Sequence, residues 1–286
     1  MGTYAITGSA SGMGNATASR LREAGHRVIG VDLDGADVVA DLSTQQGRLR
    51  AASDVIAACD GRLDGAVLAA GLGPSPGPGR LHRIAQGNYL GVVELLQAWR
   101  PALAAAERAK AVVIASNSTT TVPMVPRRSV RALLDHDADK AVRAVRLFGR
   151  AAPSLMYAAS KIAVSHWVRR QAVLPEWAGS GVRLNVLAPG AIMTPLLAEQ
   201  LSDPTQAKAV RSFPIPVGGF GEVTHMADWM CFMLSDSADF LCGSVVFVDC
   251  GSDAYFRADD WPRPVPARRL PGYLLKFRRG SRTTVR

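Results

Sequence analysis

Short apolar runs alternate along the chain with longer stretches of helical periodicity, the rhythm of a parallel sheet whose strands are joined by crossover helices. Thr3–Thr7 and Arg27–Asp32 read as the first two strands, with a helix from about Gly12 to Ala24 between them and a short third strand at Ala36–Ala40. Asp64–Ala70 (DGAVLAA) and Lys110–Ser116 (KAVVIAS) are continuous apolar runs, as in strands buried on both faces. Val182–Ala188 and Ser244–Asp249 bring the sheet to about seven strands. Helices are expected near Ile84–Arg108, Tyr157–Ala178 and Thr224–Ser235. The pattern predicts an α/β fold, a doubly wound parallel sheet with helices on both faces, over one domain at 1–256.

Two regions break the rhythm. Residues 117–156 form an insertion between a strand and the next core helix, with a charged, helix-like stretch at Arg127–Arg150. Its Val130, Leu133, Leu134, Val142, Val145 and Leu147 are spaced among Arg and Asp as on an amphipathic helix or helix pair. A sheet covered on both faces leaves no place for that stripe. The insertion is therefore expected to fold over an active-site mouth or to meet another subunit. The second is Gly71–Gly79 (GLGPSPGPG), which reads as a rigid, irregular loop after the fourth strand, and beyond Gly251 the pattern gives way to a tail rich in Pro and Arg, with the basic stretch at 257–286.

The net charge of +9 would suit a nucleic-acid binder until it is located. Residues 257–286 hold nine basic and two acidic side chains, so most of the surplus lies in the tail. The body is nearly neutral, which fits an enzyme with a neutral or apolar small-molecule substrate and argues against nucleic acid as a partner. Cys59, Cys231, Cys242 and Cys250 lack CxxC spacing and the five histidines are scattered, so no metal site is expected. Hydrophobic residues make up 48% of the chain, enough for a sizeable core. No apolar run approaches the roughly 18 residues that span a bilayer. The N-terminus has no signal-peptide pattern, which makes the cytoplasm the expected location.

Chemistry enters after the first strand, at Thr7-Gly8-Ser9-Ala10-Ser11-Gly12-Met13-Gly14. A glycine-rich turn between strand and helix lets the backbone approach a pyrophosphate held at the helix N-terminus, the Rossmann-type arrangement. The spacing is GxxxGxG rather than GxGxxG, and by itself is equally the mark of a tight turn. Asp32 ends the second strand, 18 positions after Gly14, where a carboxylate accepts hydrogen bonds from the adenosine ribose and repels a 2′-phosphate. Leu33 and Asp34 follow it, with no arginine. NAD is therefore expected rather than NADP. Tyr157 and Lys161 share one face of a predicted helix at i, i+4. A nearby ammonium favours a phenolate, which would bring the tyrosine toward use as a general acid/base.

In these residues the chain resembles the short-chain dehydrogenase/reductase family over nearly all of 3–255. Five blocks fall in family order: the glycine motif at 7–14, Asp41-Leu42, Ala69-Ala70-Gly71, Tyr157-x-x-x-Lys161, and Pro189-Gly190 followed by Thr194. The third departs slightly, with Ala69 where the family usually has Asn. The stretch at 38–48 (VVADLSTQQGR), the AAGLGP at 69–74, Asn88-Tyr89 and the 41 positions from Ser116 to Tyr157 resemble most the bacterial 3α-hydroxysteroid dehydrogenase/carbonyl reductase group.

The resemblance implies an NAD-dependent enzyme interconverting a secondary alcohol and a ketone on a hydrophobic cyclic or steroid-like substrate. The runner-up is a general carbonyl reductase of smaller ketones. A non-catalytic NAD-binding sensor is the reading of another class, but its expected signature is loss of the tyrosine or lysine, and both are present. By resemblance, Ser116 orients the reacting oxygen, Tyr157 is the acid/base, Lys161 assists it and reaches the nicotinamide ribose, and Asn88 holds a water linking Lys161 to solvent. The implied cofactor contacts are Gly8, Ser11, Gly12, Met13, Gly14, Asp32, Leu33, Asp41 and Leu42 on the adenosine and pyrophosphate side. Ala70, Gly71, Tyr157, Lys161, Pro189, Gly190, Ile192 (through its backbone) and Thr194 complete them. The family is generally dimeric or tetrameric, so a homodimer or homotetramer is expected, with the insertion in its contact. In the tail, Leu270, Tyr273, Leu274, Leu275 and Phe277 interleave with Arg268, Arg269, Lys276, Arg278 and Arg279, which would suit an anionic membrane face. Pro271-Gly272 is expected to interrupt any helix there, which favours a tail packed on a neighbouring subunit or unfolded.

Overall fold

A computed structural model describes residues 1–262 and 264–280 of the chain. Seven strands form one parallel sheet: β1 (Thr3–Thr7), β2 (Arg27–Asp32), β3 (Val38–Val39), β4 (Gly65–Leu68), β5 (Lys110–Ile114), β6 (Arg183–Pro189) and β7 (Val245–Val248). Their spatial order is β3-β2-β1-β4-β5-β6-β7. Strand side chains alternate between two apolar layers, as the pleat requires. Ile6, Val67, Val112, Ile114 and Leu187 face one layer with Met226, Met230 and Met233. Ala5, Ala66, Leu68, Ala111, Val113 and Val186 face the other.

The helices follow in chain order. They are α1 (Gly12–Glu23), α2 (Gln45–Ala58), α3 (Arg80–Ala85), α4 (Gly91–Ala104), α5 (Ser118–Thr121), α6 (Arg127–Leu134) and α7 (Ala138–Arg146). After them come α8 (Ala152–Gln171), α9 (Pro195–Ser202), α10 (Pro204–Arg211), α11 (Val223–Leu234), α12 (Ser252–Arg257) and α13 (Leu270–Gly280). Helices α1 and α11 pack together on one face, while α2, α4 and α8 cover the other. The hydrophobic pattern does not announce α2, whose buried face is Gly47, Arg48, Ala51 and Val55 rather than an apolar stripe. Helix α8 starts at Ala152 rather than Tyr157, so Tyr157 lies in its second turn.

The insertion is a helix pair, and its expected burial is corrected. Helix α6 packs on α7 and α8, and α7 on α3 and α8. Val130, Leu133, Ala141, Val142 and Val145 are buried in the same core as the sheet. The reason is that α8 is buried over most of its circumference: one side meets the sheet and the other offers a second apolar surface. The stripe thus needs neither the active-site mouth nor a partner. Ser129 Oγ donates to the Ala141 carbonyl at 3.0 Å across the pair, and Asp137 caps α7 through the Lys140 amide at 2.8 Å. Leu147 alone of the expected stripe stays fully open, 91% exposed.

The tail corrects a second expectation. Helix α13 includes Pro271 and Gly272, because a proline in the first turn has no intrahelical hydrogen bond to lose. Arg263 and residues 281–286 of the tail lie outside the described residues.

Leu133, fully buried between α6 and α8, is expected to lose about 2–5 kcal/mol of unfolding free energy on truncation to Ala. Urea denaturation measures it; a loss under about 0.5 kcal/mol would mean that the helix pair is not part of the core.

Candidate active site

The strand order reverses between β1 and β4, so the connections at their carboxyl ends diverge and leave a crevice. The glycine turn fills its floor by close approach. A Cβ on Gly14 would sit 2.1 Å from the Gly8 carbonyl oxygen, and one on Gly8 would sit 2.8 Å from the Ala70 amide nitrogen. Gly8 also has φ +72°, in the left-handed region. Ser11 is the extended N-cap of α1, its side chain makes no capping bond, and no acidic residue occupies the first turn. The free amides of that turn can receive an anion.

A cleft of about 270 Å³ runs along this turn. Of its lining, Gly8, Ser11, Gly12, Met13, Gly14, Asp32, Leu33, Asp41, Leu42, Ala70, Gly71 and Thr194 are expected from the sequence, whereas Ser43, Arg83, Gly87 and Leu196 are not. Asp32 accepts from the Ala10 amide at 2.8 Å and from its neighbour Leu33 at 2.7 Å, so the carboxylate braces the turn and fronts the cleft. Asp41 accepts from the amide and hydroxyl of Ser43 at 2.9 and 2.7 Å, which turns its carboxylate into its own loop. Buried Arg48 pairs with Glu94 at 2.6 Å and donates to the Leu42 carbonyl at 3.3 Å. It positions the Asp41-Leu42 segment, and nothing in the sequence pattern marks it.

A second cleft of about 480 Å³ shares Met13, Gly71, Leu72, Thr194 and Leu196 with the first, making the two continuous. Ser116, Tyr157, Lys161, Pro189, Gly190 and Ile192 line it. Ser116 follows the end of β5, where its Oγ accepts from the Ser118 amide at 3.1 Å. Its hydroxyl is hydrogen-bonded to that of Tyr157. Lys161 donates to the Ile114 carbonyl at 2.7 Å and lies 5.8 Å from the Tyr157 ring centroid.

Burial dominates the protonation of this group. It lowers Lys161 to about 8, with no carboxylate beside it to oppose the effect. Burial also pushes the Tyr157 hydroxyl upward, and the hydrogen bond from Ser116 pulls it only partly back. The expected lowering of Tyr157 by Lys161 is thus corrected: the ammonium is turned to a backbone carbonyl, and desolvation of the phenolate outweighs it. Tyr157 is held as a neutral acid at neutral pH.

Asn88 lines neither cleft. A π-helical turn, Gln86–Leu90, aims it at the loop after β4. There its amide donates to the Leu72 carbonyl at 2.9 Å and accepts from the Leu72 amide at 2.7 Å. A Cβ on Gly71 would lie 3.3 Å from Asn88 Oδ1 and 3.7 Å from Lys161 Nζ, so Asn88 presses this loop toward Lys161. With both ends of its amide engaged by Leu72, the side chain is a positioning group.

Several cleft residues escaped the sequence reading. Leu196, Leu197, Gln200, Val210 and Phe213 on or just after α9 and α10 form the outer wall. Thr194 caps α9 by accepting from the Leu197 amide at 3.3 Å, and Pro195 opens it, a start signal readable in the sequence. The insertion contributes only its flanks, Asn117, Ser118, Thr121, Val122 and Ser154. Asn117 donates to the Asp249 carboxylate at 3.4 Å, tying the ends of β5 and β7 beneath Gly190. Among the described residues no group of three or more His, Cys, Asp or Glu side chains could hold a metal, and no helix is long and apolar enough to cross a membrane.

Comparison with known proteins gives the family. Residues 140–253 match the model described as enoyl-(acyl carrier protein) reductase. The chain is 38% identical over 257 residues to the 3-alpha-hydroxysteroid dehydrogenase/carbonyl reductase of Comamonas testosteroni, covering 90% of this chain and 98% of that one. This chain belongs to the short-chain dehydrogenase/reductase family. The cis-4-hydroxycyclohexanecarboxylate dehydrogenase of Sinomonas cyclohexanicum is 29% identical over 266 residues, 87% of this chain and 95% of that one. Among solved structures, the 3-alpha-hydroxysteroid dehydrogenase of Pseudomonas sp. B-0831 complexed with NADH superposes with a TM-score of 0.84 at 41% identity, covering 90% and 99% of the two chains. The enzyme is an oxidoreductase of this family acting between alcohols and ketones, and such dehydrogenases use nicotinamide cofactors.

The buried lysine has a measurable consequence. Its folded value of about 8 lies below the unfolded 10.5, so the unfolded chain holds the extra proton between them. The cost of burying the ammonium therefore weighs in full below pH 8 and fades as pH rises toward 10.5. Relative to Lys161→Met, the wild type is expected to gain stability from pH 8 to 10, read from urea midpoints without nucleotide. A pH-independent difference would show that Lys161 is not desolvated.

Proposed function

We propose that this enzyme interconverts a secondary alcohol and a ketone on a neutral, hydrophobic cyclic or steroid-like substrate, with NAD as its cofactor. The observation that carries the reading is the meeting of Ser116, Tyr157 and Lys161 at the floor of an apolar cleft continuous with the glycine-lined one. Bound NAD would take up or supply the hydride. The residues expected to hold it fit: close-packed glycines, an open helix N-terminus and Asp32 line one cleft.

In reduction Tyr157, kept neutral by burial, gives its proton to the carbonyl oxygen. Ser116 already accepts from the Ser118 amide, which leaves its own proton to hold the same oxygen and then the tyrosinate. Lys161, with a value near 8, replenishes the proton and stabilises the phenolate as it forms. In oxidation each transfer runs backwards. The substrate class follows from the walls. Among the described residues lining the cleft Lys161 is the one with a charged side chain, and Leu72, Pro74, Val122, Leu197, Val210 and Phe213 supply apolar surface. A volume of about 480 Å³ lies within the ordinary range for small-molecule sites. The names of the steroid and cyclohexane relatives support a cyclic alcohol.

NAD is favoured over NADP because Asp32 fronts the cleft and its carboxylate would meet the 2′-phosphate. The NADH complex of the Pseudomonas relative supports that choice. The homodimer or homotetramer of the resemblance remains our reading of the assembly, with Trp229 and Phe232 on α11 as exposed apolar surface for a contact. A monomeric light-scattering mass would remove it.

Tyr157→Phe is expected to lower kcat by about 10²–10⁴-fold or more while leaving NAD affinity nearly unchanged. Turnover near the wild-type rate on every ketone and alcohol tried would overturn the acid/base assignment. Asp32→Ser is expected to narrow the preference for NAD over NADP by about tenfold or more, since the like-charge contact is removed. Fluorescence titration of both cofactors reads this; equal affinities in the wild type would refute the assignment.

A further inference from the structure

The tail shows apolar surface that the rest of the described chain does not cover. Past Asp260 the sequence carries eight Lys and Arg residues and no Asp or Glu. Within it, Leu270, Tyr273 and Leu274 recur at i, i+3, i+4 on α13 and so share one face, with Lys276 on its flank at i+3 from Tyr273 and Leu275 on the other side. A 3-10 turn, Ala267–Arg269, leads into the helix and presents Arg268 and Arg269 at its start. Leu270, Tyr273, Leu274 and Leu275 are each 50–55% exposed. Among the described residues α13 packs on that lead-in turn and makes no extended contact with the sheet or its helices.

We propose that the tail is a membrane-surface anchor, with α13 lying on an anionic lipid face. A short helix with an apolar face and flanking cations matches the interfacial pattern, in which aliphatic and aromatic side chains enter the acyl boundary and cations meet the headgroups. Two features select lipid over the other partners. Nucleic acid would satisfy the cations and leave the apolar face in water. A second copy of the tail would satisfy the apolar face and bring like charges together.

The position of the tail gives the anchor a use. Helix α12 is its root, and the ring of Phe256 on α12 lies 5.7 Å from that of Phe213, which lines the substrate cleft. Ser252 at the start of α12 donates to the Pro214 carbonyl at 2.8 Å, fastening the root to the segment that follows α10. Tyr255, Phe256 and Trp261 are exposed beside it. An anchored tail holds the cleft near a bilayer in which an apolar substrate concentrates. This consequence rests on the proposed function, whereas the docking itself does not.

Full-length protein sedimented with vesicles tests the docking without any substrate. Binding to phosphatidylglycerol-rich vesicles is expected, weaker by about tenfold or more for phosphatidylcholine alone and at high salt. The double substitution Tyr273→Asp with Leu274→Asp is expected to reduce that binding by a similar factor while cofactor affinity, as the folding check, is retained. No binding to phosphatidylglycerol vesicles by the wild type would overturn the proposal. So would binding unaffected by the double substitution, which would reduce the tail to a non-specific polycation. A loss of oligomeric mass in the double variant, with no vesicle binding by the wild type, would make α13 a subunit contact instead.

Discussion

The close approach of three backbone segments governs the rest of this molecule. The turn after β1 lies so near the start of its own helix that Gly14 has no room for a Cβ against the Gly8 carbonyl, and Gly8 in turn lies against Ala70 beyond β4. That contact sets the floor of the crevice where the sheet reverses its winding. It also places Asp32, which holds the Ala10 amide, at the rim. Asn88 continues the same constraint on the other side by gripping both polar groups of Leu72. The loop it holds carries Gly71 into contact range of Lys161, so nucleotide cleft and proton-transfer group share one wall.

Desolvation then sets the chemistry. A tyrosine and a lysine one helical turn apart would each titrate near its ordinary value in water. Buried together, the tyrosine rises and the lysine falls to about 8, so their values move apart and the ammonium becomes the stronger acid of the two. A tyrosinate left after proton donation is therefore reprotonated downhill by the lysine ammonium. Ser116 joins the pair through a hydrogen bond to Tyr157, and the Ile114 carbonyl fixes the direction of the lysine. β5 supplies both contacts from its carboxyl end, so one strand aligns the catalytic group.

Around this centre the helices form more than one layer. Helix α8 separates the sheet from the α6–α7 pair, and its burial on both sides lets the insertion thicken the body without touching the cleft floor. On the opposite side of the cleft, α9, α10 and Phe213 supply the apolar wall that gives the substrate space its character. The insertion that separates Ser116 from Tyr157 in sequence therefore leaves their meeting intact: both ends of the detour return to the same edge of β5.

Much of this was legible in the residues themselves. Strands buried on both faces leave unbroken apolar runs, so the parallel sheet and its order of elements follow from the pattern, as do the glycine turn, Asp32 and the Tyr157–Lys161 face. Their chemistry is local: a left-handed φ, a carboxylate at a strand end, a one-turn spacing. What the chain alone did not settle is whatever depends on a partner distant in sequence. The burial of the α6–α7 stripe needed the second face of α8, and the role of Arg48 needed Glu94. The direction of the Tyr157 shift needed the depth at which the pair lies, because a spacing places two groups together without stating how much water remains around them. Helix α13 formed despite Pro271 for a similar reason: whether a proline breaks a helix depends on its place in the turn, and that place is decided only when the helix has a start.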